Sequence, residues 1–323
     1  MQNYPYLVSI LVPLYGVEKY IERCATSVFS QTYPHVEYIF VDDCSPDNSL
    51  WVLQQTIERF SIDRSRVKIV SHDMNRGLAA ARNTALENAH GEFVMHVDSD
   101  DWLEPDAVKL LVNKQQQEDF DIVIGKALAI HSDHTEEMPV TICNSKEEQI
   151  EIYLKQTLQH VIWARLIRKS IYTTHNIKAE EGTNFGEDAQ VVPKLFYYAE
   201  KTAWINDVVY NYNRTNENSY TANKTFDINK RIKKTRCDLR TTLILRDFFQ
   251  DKGNNYMKII HHNLISNSKR LARDYCKTGN KTEFKCAYNY IKQGHTDQYW
   301  RRARLLLTLP LYFVLCRVMV KHR

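Results

Sequence analysis

Through the first 125 residues, short runs of β-branched and aromatic residues alternate with stretches whose apolar positions recur at helical spacing. Leu7–Val12 reads as a strand, and Ile21, Cys24, Ala25, Val28 and Phe29 then mark one face of a helix. Glu37–Val41 is a second strand, followed by a helix over Asp47–Phe60 with Leu50, Leu53, Ile57 and Phe60 on one side. Val67–Val70, Phe93–Val97 and Asp121–Ile124 are three further strands, with helices predicted over Arg76–Ala89 and Asp106–Gln117 between them. Such alternation predicts an α/β fold: a mostly parallel open sheet flanked by helices on both faces. From about 126 to 225 the pattern loosens into short mixed elements, with a helix suggested by "EEQIEIYLKQTL". Beyond about 225, "KRIKKTRCDLRTTLILRDFFQ" and "YMKIIHHNLISNSKRLARDYC" are helical and basic. The chain is therefore expected to divide into 1–225, with halves at about 1–125 and 126–225, and a helical C-terminal region over 226–323.

Composition changes this picture little. With 43% hydrophobic and 25% charged residues in 323, the chain is an ordinary globular protein. A net charge of +4 marks no nucleic-acid surface, and no nucleic-acid partner is expected. Seven cysteines without a Cys-x-x-Cys pair exclude a disulfide framework and a cysteine zinc site, and fit a reducing cytoplasm. Nine glycines leave little for phosphate-cradling loops, and the absence of any G-x-G-x-x-G excludes a dinucleotide-binding dehydrogenase. The N-terminus lacks a basic region ahead of its apolar run and reads as a first strand, not a signal peptide. At the other end, "WRRARLLLTLPLYFVLCRVMVKHR" is apolar from Leu305 to Cys316, too short for the ~18–20 residues that span a bilayer. A terminal helix packed on the core is one reading. The flanking Arg301, Arg302, Arg304, Arg317, Lys321 and Arg323 favour the other, a peripheral helix on the inner face of the cell membrane.

Ligands of open α/β sheets bind at the carboxyl ends of the strands. Tyr15 follows the first strand, and Asp42, Asp43, Ser45 and Asp47 follow the second. Asn75, Arg76 and Gly77 follow the third, and "DSDD" the fourth. Asp98, Asp100 and Asp101 crowd negative charge against a buried strand end, which calls for a compensating cation. Asp98 and Asp100, one residue apart, can converge on one ion, and hard oxygen ligands select Mg²⁺ or Mn²⁺ with room left for phosphates. The bland alternative is that Asp100 or Asp101 caps the turn before Pro105. Asp43 has a turn role as its alternative, Tyr15 a core aromatic one, and Arg76 and Arg82 a solvated helix face. Glu187 and Asp188, ahead of an apolar helical stretch, fit helix capping and dipole compensation first, with a general base as the functional reading. "HSDH" (His131, His134) lacks a third ligand nearby and reads as a surface loop, while His261 and His262 read as structural.

Six ordered blocks, "VSILVPLYG", "YIFVDDCSPDNS", "NRGLAAARNTAL", "FVMHVDSDDWLEPDA", "WARLIRKS" and "FGEDAQVVPKLF", cover about residues 7–221. In order and spacing they resemble the family 2 glycosyltransferases of the GT-A fold, of the bacterial polysaccharide-biosynthesis type. The resemblance implies inverting transfer from a nucleotide sugar, usually a UDP-sugar, with Mn²⁺ or Mg²⁺, to a saccharide or lipid-linked acceptor. It places Pro13 and Tyr15 in a nucleobase pocket, Asp43 on uracil, Asp98 on the ribose or diphosphate side and Asp100 on the metal. Asp188 would be the catalytic base, and Arg82 and Arg214 would support the donor diphosphate. Three positions depart from the family: Gly16 stands where Asn is common, and Arg165 stands for Lys in the "WAR" block. "YNYNR" carries one extra residue before Arg214. A sugar-nucleotide-forming nucleotidyltransferase would need a Gly-rich loop after the first strand, where Gly16 stands alone. A catalytically silent nucleotide-sugar-binding module is the remaining alternative, and the presence of both Asp100 and Asp188 opposes it.

Overall fold

A computed structural model of the protein describes residues 5–139, 142–143, 145–155, 161–183, 185–216, 227–280 and 282–283. The basic apolar tail expected to meet a membrane lies outside them. Among the described residues no helix is long and apolar enough to cross a membrane. The chain divides into two compact units, one of residues 1–150 with 159–222 and one of residues 151–158 with 223–323.

The first unit opens with β1 (Val8–Leu14), α1 (Ile21–Phe29), β2 (Val36–Asp42), α2 (Ser49–Phe60), β3 (Val67–Ser71), α3 (Leu78–Glu87) and β4 (Phe93–His96). Every residue of β1 is buried. That follows from its place between β2 and β4, parallel to both, with helices over the sheet. Strand order β3-β2-β1-β4 puts the reversal of winding between β1 and β4, where a ligand crevice is expected. Pro13 sits there without breaking the sheet. Leu11 O accepts from Val97 N, so Leu11 and Pro13, two residues apart, face the β4 side. The β1–β4 ladder has ended at Leu11↔His96, so the N–H that Pro13 lacks has no partner waiting.

Helix α3 explains why "AAAR" can carry a charge inward. Ala79, Ala80, Ala81 and Ala85 are all buried. Their small side chains let the helix backbone come close to β1 and β2, which brings Arg82 to the strand ends. The helix begins at Leu78, two residues later than its apolar spacing suggests, because Gly77 stands at φ 88° ahead of it. Only glycine takes that conformation without strain.

The rest of the sheet departs from simple alternation. The elements are β5 (Trp102–Leu103), α4 (Ala107–Glu118), β6 (Ile122–Ile130), β7 (Thr135–Glu137), α5 (Lys146–Leu154), β8 (Arg165–Arg168), α6 (Lys169–Thr174), α7 (Glu187–Tyr198) and β9 (Thr202–Asn213). Strand β8 is inserted antiparallel between β4 and β6, so the fifth strand of the sequence reading does not pair with the fourth. Leu166 and Ile167 are fully buried, which suits a central strand, but four residues are too few to show a period in the sequence. Strands β6 and β9 run parallel, keeping the sheet mostly parallel, with β5 on β9 and β7 on β6 antiparallel. Their register shifts beside Gly125, where a Cβ would stand 2.4 Å from Val209 Cγ2. The second unit is built on α8 (Ile228–Phe249) and α9 (Asn254–Thr278). Arg231 Nε reaches the buried Asp274 at 2.8 Å, and Phe249 packs edge-on against Tyr256.

Candidate active site

Asp43, just past β2, is buried and fully engaged. Its Oδ1 accepts from His72 Nδ1 at 2.7 Å and Arg76 N at 2.8 Å, and its Oδ2 accepts from Gly77 N at 2.7 Å. Asp43 thus fixes the loop entering α3. Tyr15 is 45% exposed at the end of β1, which excludes the core-aromatic reading.

The cation that answers the "DSDD" charge inside the protein is Arg82. Its side chain is 7% exposed, so it is no solvated helix face. Nη2 donates to Asp98 Oδ1 at 2.6 Å, while Nη1 donates to Glu187 Oε1 at 2.8 Å and to Asp188 Oδ1. One guanidinium therefore joins the end of β4 to the start of α7. Burial works against the Arg82 charge, and Asp188, Asp98 and Glu187 outweigh it, holding it protonated. Asp188 Oδ2 also accepts from Ile162 N at 3.2 Å. Burial pushes the Asp188 carboxyl up to about 8; Arg82 opposes the rise, and Glu187 and Asp98 add to it. Arg165 also lowers Asp188, so the Arg of the "WAR" block still supplies charge where the family has Lys.

The other two carboxylates differ sharply. Asp101 is fully buried, accepting from Tyr210 Oη and from Asn213 N, each at 2.7 Å. It caps no helix; it ties β9 to the carboxylate turn. Tyr210 Oη also accepts from Asp98 N at 3.0 Å, and its ring stacks on Trp163 at 4.5 Å. Asn213, the residue that lengthens "YNYNR", gives this bond and donates from Nδ2 to Asp100 O at 3.2 Å. Asp100 Oδ2 accepts from Asn216 at 2.8 Å. Burial raises its carboxyl, Asp98 adds to the rise, and Asn216 opposes it. Arg23, lying 3.6 Å over Trp102, donates to Asp100 O at 3.1 Å. Arg214 follows β9, and its guanidinium donates to Tyr212 Oη at 3.2 Å. Among the described residues no hydrogen bond or ion pair joins it to the carboxylate cluster.

Asp98 Oδ2 and Asp100 Oδ1 have no side-chain donor among the described residues. Two hard oxygens, one of them on a carboxyl raised by burial and by a like charge, fit a small dication such as Mg²⁺ or Mn²⁺. Sequence reasoning missed Tyr210, Asn213, Asn216 and Arg23, and named Glu187 without its bond to Arg82. Tyr210 left a trace in the alternating aromatics of "YNYN", and Asn213 as the extra residue before Arg214.

The sheet order, the strand-end carboxylates and the buried arginine that joins them to α7 define a GT-A-type glycosyltransferase domain. Residues 9–174, just over half the chain, match glycosyl transferase family 2, and the chain belongs to that family. This stretch holds Asp43, Arg82, Asp98 and Asp100 and ends before Asp188, which the structure joins to it through Arg82. The uncharacterized glycosyltransferase EpsJ of Bacillus subtilis is 30% identical over 223 residues, covering 67% of this chain and 63% of EpsJ, less than two thirds of that relative. The putative teichuronic acid biosynthesis glycosyltransferase TuaG, also from B. subtilis, is 46% identical over 101 residues, 31% of this chain and 38% of TuaG. Among solved structures, Staphylococcus aureus TarS 1–349 in complex with UDP-GlcNAc superposes with a TM-score of 0.59 at 19% identity, over 89% of this chain and 92% of that one. The mannosyltransferase PcManGT of Pyrobaculum calidifontis, in complex with GDP-Man and Mn²⁺, gives 0.54 at 15% identity, over 99% and 88%. These likenesses show the fold.

Proposed function

We propose that the protein is an inverting glycosyltransferase that moves a sugar from a nucleoside-diphosphate sugar to a hydroxyl of a saccharide or lipid-linked saccharide. The observation that carries this reading is the buried Arg82 bridging Asp98 and Asp188. It sets a donor-side carboxylate and a candidate base on one rigid cation. The crevice between β1 and β4 takes the nucleotide, with Pro13 and Tyr15 beside the base and Asp43 shaping the loop that faces it. UDP is the favoured nucleotide, supported by the UDP-GlcNAc complex of TarS. Asp100, with the open oxygen of Asp98, would hold Mg²⁺ or Mn²⁺, which when bound neutralises charge developing on the leaving diphosphate. Arg214 stands at the exposed end of β9, where it is proposed to meet the diphosphate.

Asp188 takes the proton of the acceptor hydroxyl as that oxygen bonds to the anomeric carbon. The bond from that carbon to the phosphate oxygen breaks in the same step, and its electron pair leaves with the nucleoside diphosphate. The Arg82 and Ile162 N–H contacts hold the carboxylate in place for this attack. A carboxyl raised to about 8 suits a base working near neutrality. Only its ionised form accepts a proton, so kcat/KM should climb about tenfold per pH unit below about 8 and level off above it. A profile flat from about pH 6 to about pH 9 would show that the base does not titrate near 8.

Thermal melting with UDP, GDP, dTDP or CMP, each with Mn²⁺ or with chelator, tests the donor site. A ligand at 100 times its Kd adds ~2.7 kcal/mol. A rise in Tm with UDP that chelator erases is expected, and no rise with any nucleotide would overturn the reading. The C-terminal tail is proposed to dock the enzyme on an anionic membrane surface. Deleting residues 301–323 should then release it from anionic vesicles, and unchanged vesicle binding would refute the docking.

A further inference from the structure

The tip of the β6–β7 hairpin carries chemistry that the transfer reaction does not use. His131 and His134 flank a two-residue turn, Ser132–Asp133, and His131 N donates to His134 O at 2.9 Å. Residues opposed across such a turn project from the same face, and that face recurs at every second residue of a strand. Glu136, two positions after His134, shares it. The two imidazoles stack with centroids 4.3 Å apart at 5°, and Glu136 Oε1 lies 3.3 Å from His131 Nε2. One ligand atom from each of the three residues falls within 4.8 Å of the other two. Glu137, next along the strand, is instead engaged by Lys126 at 2.8 Å. The sequence spacing of "HSDH" supplied two candidate ligands; the hairpin register supplies the third.

Asp133 makes the arrangement more than a chance cluster. Its Oδ1 lies 2.8 Å from His134 Nδ1. An ionised carboxylate can only accept, so Nδ1 carries a proton and the lone pair of the neutral ring falls on Nε2. A carboxylate behind a ligating imidazole is the recurrent support of metal-binding histidines.

We propose that His131, His134 and Glu136 form a surface site for a borderline transition-metal dication, Zn²⁺ as the type, with Asp133 holding His134 in the ligating tautomer. Two imidazole nitrogens and one carboxylate suit zinc, with a position left for water. The same set is poorly matched to Mg²⁺ or Mn²⁺, which prefer oxygen, so it is chemically distinct from the Asp98–Asp100 site. All three side chains are at least 26% exposed, so an ion can enter without unfolding the hairpin. Arg214 N donates to Ile130 O at 2.9 Å, at the base of this turn, so an ion there would pin the strand tip beside the end of β9.

The test uses the full chain, stripped with chelator, held in excess Mg²⁺ and titrated with Zn²⁺ in a calorimeter. Co²⁺, followed by its visible absorption, serves as a second probe. Expected is one Zn²⁺ per chain, unaffected by Asp100→Asn. Binding should vanish in the His131→Ala, His134→Ala double variant and weaken ~10–100-fold in Asp133→Asn. Glu136→Gln, which keeps the side-chain shape, should also weaken it. Melting curves of the metal-stripped variants confirm that each is folded. No Zn²⁺ binding by the wild-type chain would overturn the proposal, leaving the histidines as hydrogen-bond partners of Asp133 and Glu136. Equal binding by the double variant would overturn it as well.

Discussion

Asp188→Asn lowers kcat by ~10²–10⁴-fold while donor affinity stays near that of the wild type. The amide keeps the shape of the carboxylate and one acceptor oxygen for Arg82, so the bridge from α7 to β4 survives. What it loses is the capacity to take a proton. One backbone contact suffers, because Ile162 N then faces an amide N–H₂ where it now meets a carboxylate oxygen at 3.2 Å. Loss of that bond costs about 1 kcal/mol, too little to unfold the domain. The measurement pairs turnover with calorimetric donor binding. Undiminished turnover would sink the mechanism, and loss of donor binding with turnover would show that Asp188 belongs to the donor pocket.

Arg82→Met should have the largest effect on stability. It leaves Asp98, Glu187 and Asp188 facing one another across a buried space with their shared cation gone. Removing one partner of a buried ion pair costs ~3–5 kcal/mol. Asp98 and Asp188 keep 26% and 17% of their side-chain exposure, so solvent screening favours the lower end. For a unit of this size that is a fall in Tm of about 10 °C. The pH dependence identifies the cause. Without Arg82 the Asp188 carboxyl, already raised by burial, loses the cation that opposes the rise, so the folded variant binds more protons and gains stability as pH falls. The gap to the wild type should therefore narrow on acidification. Arg82→Lys keeps the charge without the forked geometry and should recover part of the loss. A melting temperature equal to the wild type in the Met variant would show that the cluster is not held by this cation.

The strand ends were legible because each closes an apolar run that a polar group interrupts: Tyr15 after β1, Asp43 after β2 and Asp98 after β4. Local periodicity carries that information. It does not carry the identity of partners distant along the chain. Nothing in "AAAR" says that Arg82 meets Asp98, Glu187 and Asp188, and its placement depends on how closely four alanines let α3 approach the sheet. For the same reason Asp101 read as a member of the acid cluster or a cap of the turn before Pro105. Its burial under Tyr210 and Asn213 is set by β9, more than a hundred residues away. Strand β8 was hidden for a different reason: three of its four residues are buried in succession and show no alternation.

The insertion of β8 has a consequence for how the chain comes to be folded. As synthesis proceeds, β1 to β4 can assemble early, but Phe93 and Val94 wait for Arg168 and Ile167 to arrive before their outer edge is sealed. Until then "FVMH" presents an unpaired apolar border, the kind of surface on which growing chains adhere to one another. Strand β6 is in the same position, since its partners β8 and β9 are both made after it. A fragment ending near residue 125 would carry the crevice proposed for the nucleotide and an open flank together. It would associate with itself before it could bind a nucleotide.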